Sequence, residues 1–155
     1  MTIVLCEQPI DPWKSLDKYQ QQGGLKGKFG ASSVFVGAMR DFNQGDVVES
    51  MFLEHYPGMT ERQLQHIVDE AVQQWSVLDY LVMHRVGEVA PADTLVLVAC
   101  WAVHRGDAFD ACRFIMEALK SRAPFWKKEV LASGESRWLE KNSDGYHINS
   151  PAESF

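Results

Sequence analysis

The stretch TLVLVACWAV, residues 94–103, decides the fold because it is almost wholly apolar and rich in β-branched residues. An apolar run of this length and composition is typical of a strand that is buried on both of its faces. The sequence therefore predicts a central strand here, with other elements packed above and below it.

The sequence also predicts two amphipathic helices. In the first, Thr60 stands as the N-cap of a capping box that Gln63 completes. The apolar residues that follow have the spacing of one helix face: Leu64, Ile67, Val68, Ala71, Val72 and Trp75. In the second, Asp107 caps a helix over about residues 108–121, and Pro124 prevents its continuation.

The remaining elements give the fold class. A short helix is predicted from Pro12 to Gln22, and strand patterns cover residues 32–39, 47–55, 78–86, 125–131 and 135–139. The polar turn at 41–46 predicts a hairpin-like pairing of the first two strands, and Ser133-Gly134 predicts another hairpin. The order β-β-α-β-β-α-β-β indicates an α+β domain with a mixed, largely antiparallel sheet and two main helices.

The chain has 155 residues, which favours one domain, expected over residues 1–140 with a polar, flexible tail at 141–155. Three cysteines without close pairing predict neither a disulfide framework nor a thiolate metal site, and a reducing compartment such as the cytoplasm is expected. No stretch has the pattern of a signal peptide or a membrane span.

Charge is unevenly distributed along the chain. The net charge of −6 argues against general binding to nucleic acid, yet residues 120–137 hold five basic and two acidic side chains. An acidic protein with one basic segment suggests a focused anion site, although a solvated surface patch would give the same pattern.

Two places in the sequence are candidates for such a site. His104 and Arg105 follow the buried strand and precede a helix, where free backbone N–H groups bind anions well. Lys120 ends that helix. A cation at the C-terminal end of a helix is also stabilised by the helix dipole, without any role in binding. Arg40, at the end of the first strand, is a weaker candidate.

The strand over residues 125–131 limits which lysines share a pocket. Neighbouring residues of a strand point to opposite faces, so of Lys127 and Lys128 only Lys127 can share a pocket wall with Phe125. Other sites are not indicated: His55, His84 and His104 lie near strand ends without a metal-ligand spacing, and no metal is predicted.

Four segments together carry a family resemblance: LEHYPGMT (53–60), HRVGE (84–88), VHR (103–105) and LKSRAPFWKKE (119–129). They resemble the large, catalytic subunit of molybdopterin synthase, and the resemblance runs from about residue 32 to residue 138. It implies an α/β hammerhead-type fold and a homodimer at the core of a heterotetramer.

The resemblance also implies a sulfurtransferase reaction in molybdenum cofactor biosynthesis. Each large subunit would bind one small ubiquitin-like carrier whose C-terminal Gly-Gly ends in a thiocarboxylate. That tail would enter a pocket and give sulfur to cyclic pyranopterin monophosphate, and two transfers would form the dithiolene of molybdopterin. No metal or organic cofactor is implied for the chain itself.

The resemblance assigns the pocket residues one by one. Lys120 and Lys127 would be catalytic and would also bind substrate. The other substrate-binding positions are Arg40, His104, Arg105, Lys128 and Glu129. One departure stands beside Arg40, where many relatives have a basic residue and this chain has Ala38.

Two other classes of function fit a basic pocket. A non-catalytic scaffold would dock an acidic carrier tail and leave the pterin unchanged. A phosphate-handling enzyme would act without any carrier.

Overall fold

The computed structural model describes residues 1–140, so the predicted tail at 141–155 lies outside the described residues. In this part the strands are β1 (Thr2–Cys6), β2 (Ala31–Ala38), β3 (Phe42–Asn43), β4 (Asp46–His55), β5 (Val77–Arg85), β6 (Gly87–Val89), β7 (Thr94–Ala102), β8 (Phe125–Leu131) and β9 (Ser136–Trp138). The helices are α1 (Pro12–Gln22), α2 (Met59–Gln74) and α3 (Arg105–Arg122).

The strands form two sheets, which confirms the α+β class but divides the predicted sheet in two. The first sheet has the order β1-β5-β7-β2, in which only β1 and β5 are parallel. The second has the order β3-β4-β8-β9, with β6 also paired to β4. Two strands have no counterpart in the sequence prediction: β1, a short edge strand, and β6, which closely follows β5.

The strand β7 is the interior strand that the apolar run predicts. Its even-numbered residues pack with α2 and α3 in the largest apolar cluster, and its odd-numbered residues pack with Leu16 of α1 on the other face. Both faces are covered, and Leu97 and Val98 have no exposed surface. A continuous apolar run is thus required here, since an alternating strand would place polar side chains in one of the two cores.

The predicted pairing between residues 32–39 and 47–55 is wrong. β2 pairs with β7, whereas β4 belongs to the second sheet and pairs with β8. The polar turn instead closes a smaller hairpin of β3 and β4 around Gln44 and Gly45, both of which have positive φ, as tight hairpin turns require. Met39 is still hydrogen-bonded to Ala92 and Asp93, so the chain crosses between sheets within the next few residues.

Both predicted helix caps differ from those in the structure. α2 begins at Met59, after Gly58 at φ +79°, and Thr60 lies inside its first turn. The side chain that caps the helix is Glu61, whose Oε2 accepts the Gly58 N–H at 2.6 Å, rather than Gln63. Similarly, α3 begins at Arg105 with His104 as its N-cap, and Asp107 is an acidic residue of the first turn.

Thr60 has a different task, which is to connect α2 to the start of β8. Its buried hydroxyl accepts the Tyr56 N–H at 2.9 Å and donates to the carbonyl of Pro124 at 3.3 Å. This pair of bonds joins two of the segments that carry the family resemblance and fixes where β8 begins.

The capping arrangement gives a direct test. We expect Glu61→Ala to lower the free energy of unfolding by about 1 kcal/mol, because the Gly58 N–H loses its partner and the helix dipole loses a nearby anion. Gln63→Ala, two residues further along the helix, should lower the free energy of unfolding by less than half as much. Urea denaturation of both variants measures the difference, and equal losses would contradict the assignment.

Candidate functional site

The last turn of α3 and the first half of β8 bring two lysines to one cavity. Lys120 and Lys127 line it together with His84 and Phe125. The rest of the wall is apolar: Leu53, Leu95, Val96, Met116 and Leu119. The cavity volume is about 50 Å³. On the scale where one water needs roughly 10–15 Å³, this is room for only a few atoms.

The alternation of β8 decides which lysine enters the cavity, as predicted from the sequence. Phe125 and Lys127 lie on its inner face and line the cavity. Lys128 faces the other way, with its Nζ 5.8 Å from the ring centroid of Trp138. The structure therefore does not bring Lys128 to the lysine pair.

Lys127 is held in conditions that disfavour its charge. Burial, and after it the neighbouring charge of Lys120, lowers the pKa of Lys127 to about 8, while Glu129 acts in the opposite direction. Glu129 is itself buried and occupied: it accepts hydrogen bonds from Asn43 at 2.8 Å and from Arg137 Nε at 3.0 Å. It is thus a partial counter-charge behind the cavity wall rather than a member of that wall.

His84 is a site residue that the sequence reasoning did not single out. Its ring is buried and stacks on Phe125, with 4.0 Å between centroids and 9° between planes. Its Nδ1 is 2.7 Å from the carbonyl oxygen of Arg85. Burial first, and then the charges of Lys127 and Lys120, lower the pKa of His84 to about 4. Its place in the HRVGE segment was the available signal.

His104 and Arg105 lie at the opposite end of α3 from Lys120. A helix rises by about 1.5 Å per residue, so the fifteen positions from Arg105 to Lys120 span about 22 Å. Both side chains are exposed and neither lines the lysine cavity. Within one chain, therefore, the histidine-arginine pair and the lysine pair do not converge.

Arg40 lies at the same end of the first sheet as the cavity. Ala38 pairs with Thr94, which precedes the cavity residues Leu95 and Val96. The guanidinium of Arg40 is exposed and lies 5.2 Å from the ring centroid of Phe42, outside the cavity wall.

Residues 1–140 contain no group of three or more His, Cys, Asp or Glu side chains that could hold a metal ion. The three cysteines are unpaired. In the same part of the chain, no helix has the length and apolar character needed to cross a membrane.

Comparison with known proteins places this geometry in a family. The model of the MoaE protein family matches residues 5–122. The chain is 56% identical over 113 residues to the molybdopterin synthase catalytic subunit of Ralstonia nicotianae, a match that covers 73% of this chain and 64% of that relative. It is 48% identical over 141 residues to the protein of the same name from Pseudomonas aeruginosa, covering 90% of this chain and 91% of the relative.

A solved structure agrees with these matches. The molybdopterin biosynthesis MoaE protein from Burkholderia ambifaria superposes with a TM-score of 0.74 at 41% identity, over 93% of this chain and 92% of that one. Sequence and fold thus lead to the same assignment: the chain belongs to the MoaE protein family.

Proposed function

We propose that this chain is the large, catalytic subunit of molybdopterin synthase, with residues 1–140 as its catalytic domain and the cytoplasm as its compartment. It would act as a sulfurtransferase that moves sulfur from the thiocarboxylated C-terminus of a small ubiquitin-like carrier to cyclic pyranopterin monophosphate. The observation that carries this proposal is the small cavity whose wall contains both Lys120 and Lys127. Relatives of the chain are named as catalytic subunits of this synthase.

The size of the cavity supports entry of a peptide end. About 50 Å³ accommodates a terminal thiocarboxylate with its adjoining backbone, whereas a pterin ring system with a phosphate needs several times that space. The pterin would therefore lie at the mouth of the cavity, with its reacting carbon toward the tail.

The charges of the cavity suit two anionic reactants. Two unit negative charges 4 Å apart repel by about 4 kcal/mol at an effective dielectric constant of 20. Lys120 and Lys127 would offset this repulsion and hold the sulfur against its target. Lys120 would stabilise the negative charge that develops as sulfur replaces oxygen. Lys127, with a pKa of about 8, is suited to move a proton near neutral pH.

The positions of His104 and Arg105 require a second chain if they bind the same substrate. We propose a homodimer in which their end of α3 faces the lysine cavity of the other protomer, so that the phosphate is bound across the interface. Exposed Val103 and Phe109 flank this end of the helix, with 48% and 62% of their surface accessible, and an interface would cover them. Arg40, at the cavity end of its own chain, would complete the anion site.

The reaction itself is the first test. With a thiocarboxylated carrier and the pterin precursor, Lys120→Ala should reduce product formation by about 100-fold or more, since charge stabilisation at the reacting centre is lost. Lys18→Ala, an exposed lysine of α1 on the far side of the first sheet, is the matched control and should retain activity. Normal turnover by a folded Lys120→Ala protein would refute the assignment.

The same assay, run with and without carrier, separates the alternatives. Product that forms without carrier would identify a phosphate-handling enzyme, and carrier binding without any change in the pterin would identify a scaffold. Lys128→Ala can be included, and we expect a much smaller loss than for Lys127→Ala because Lys128 lies on the opposite face of β8.

A further prediction concerns the pH dependence of stability. The pKa of Lys127 is about 8 when folded against about 10.5 when unfolded, so between these values the unfolded chain binds more protons and stability rises with pH. Below pH 8 Lys127 is protonated in both states, and the folded protein bears the full free-energy cost of the buried charge. Lys127→Met removes that cost and should raise the free energy of unfolding at pH 7 by about 1–3 kcal/mol.

That gain should vanish near pH 10.5, and the variant should be inactive. Urea denaturation at the two pH values measures both quantities, with Lys28→Met, on an exposed loop, as the control. A variant that is less stable than the wild type at pH 7 would show that Lys127 is retained for structure and not for chemistry.

The shared site also makes a prediction about mixed dimers. Lys120→Ala and the His104→Ala/Arg105→Ala double variant should each be inactive. After subunit exchange, half of the dimers are mixed and each has one intact site, which restores about a quarter of wild-type activity if the dimer has two-fold symmetry.

The matched control mixes Lys120→Ala with Lys127→Ala, where both changes affect a cavity built by one chain and no intact site can form. Absence of recovery in the first mixture, with subunit exchange verified by mass spectrometry, would exclude a shared site.

A further inference from the structure

Among the described residues that line the lysine cavity, His84 has a side-chain nitrogen that can accept a hydrogen bond. Lysine ammonium groups only donate, and the remaining lining residues other than His84 are apolar, with the Met116 thioether at most a weak acceptor. His84 is therefore a polar lining residue with no role in the proposed sulfur transfer as described above.

The hydrogen bond at Nδ1 fixes which nitrogen of His84 accepts. A carbonyl oxygen cannot donate, so the 2.7 Å contact with Arg85 requires the proton to be on Nδ1. In the neutral ring, Nε2 on the other side then carries a lone pair. A pKa of about 4 keeps the ring neutral at physiological pH.

The acceptor is also held in a fixed orientation. The Phe125 ring lies parallel to the imidazole at 4.0 Å, and the Arg85 carbonyl prevents rotation about the ring's attachment to the chain. An acceptor with both constraints distinguishes donors by direction, unlike the flexible amines of Lys120 and Lys127.

An extended peptide end brings a donor to this place. In the last residue of a chain, the amide nitrogen and the carboxyl carbon are two bonds apart, about 2.5 Å. If the terminal thiocarboxylate or carboxylate lies against the two lysines, the last peptide N–H must enter the same small cavity. Buried without an acceptor, this N–H would weaken binding.

We propose that Nε2 of His84 accepts a hydrogen bond from the last peptide N–H of the carrier tail and so fixes the orientation of the tail in the cavity. This rests on the proposed function, in which such a tail enters the lysine cavity. His84 is in this sense a positioning and specificity residue: it recognises an amide next to a terminal anion, which a free carboxylate or phosphate lacks.

The test is a thermodynamic cycle that removes each partner separately. The carrier is prepared by chemical ligation in two carboxylate forms, one ending in Gly-Gly and one ending in Gly-glycolate, where an ester oxygen replaces the last N–H. Each is titrated by calorimetry into the wild-type chain and into His84→Phe, which keeps a ring against Phe125 but has no acceptor.

We expect the ester to weaken binding to the wild type by about 10-fold and to His84→Phe by no more than about 2-fold. Any effect of the ester on the tail itself is common to both proteins and cancels in the comparison. An equal loss with both proteins would overturn the role of His84.

Two further outcomes are distinguishable. If His84→Phe does not fold, as judged by circular dichroism, His84→Met provides an apolar replacement with a flexible shape, and the same comparison applies. If the Gly-Gly carrier does not bind the wild type at all, the proposed function fails together with the inference that rests on it.

Discussion

The packing of α3 along β7 is the constraint on which the rest of the structure depends. The helix places Ala111, Ile115 and Ala118 in the same apolar cluster as the even-numbered residues of the strand. Because the helix is stiff and packed along the strand, it fixes the positions of the residues at its two ends. Lys120 lies at one end, and its amine meets β8 because Pro124 and the Thr60 hydroxyl set where that strand begins.

The lysine cavity is a place where folding and function have opposite requirements. Burial removes hydration from Lys127 and the charge of Lys120 repels it, while Glu129, which acts in the opposite direction, is hydrogen-bonded to Arg137 and Asn43. A fold that minimised its own free energy would place aliphatic side chains here. Under the proposed function, the two lysines are retained at this cost because they bind the anions that enter the cavity.

The sequence predicts faces of elements better than it predicts their partners. The structure confirms three local predictions. β7 is buried on both faces, Lys127 and Lys128 point to opposite faces of β8, and β8 forms a hairpin with β9. The pairing of β2 could not be predicted, because a strand's side-chain pattern specifies which side is buried and not which neighbour it joins. The helix starts were misplaced because Gly58 and His104 carry no capping side-chain oxygen.

The candidate site shows the same limit. The sequence shows a basic segment, but it does not show that Arg105 and Lys120 are about 22 Å apart. That distance follows once both residues are known to lie on the same helix. His84 was missed for a related reason: a histidine on an apolar strand resembles any buried core residue until its ring is seen beside two amines.

The length of α3 has a consequence for when the protein becomes active. Neither rotamer changes nor loop motions can bring the two ends of a stiff helix together, so under the proposed dimer a newly made chain has no complete catalytic centre. Under that proposal assembly would be a licensing step, and turnover would begin only after two copies have associated. A reactive thioacid would be protected from consumption by lone subunits, and the amount of working enzyme would fall with the square of the subunit concentration on strong dilution.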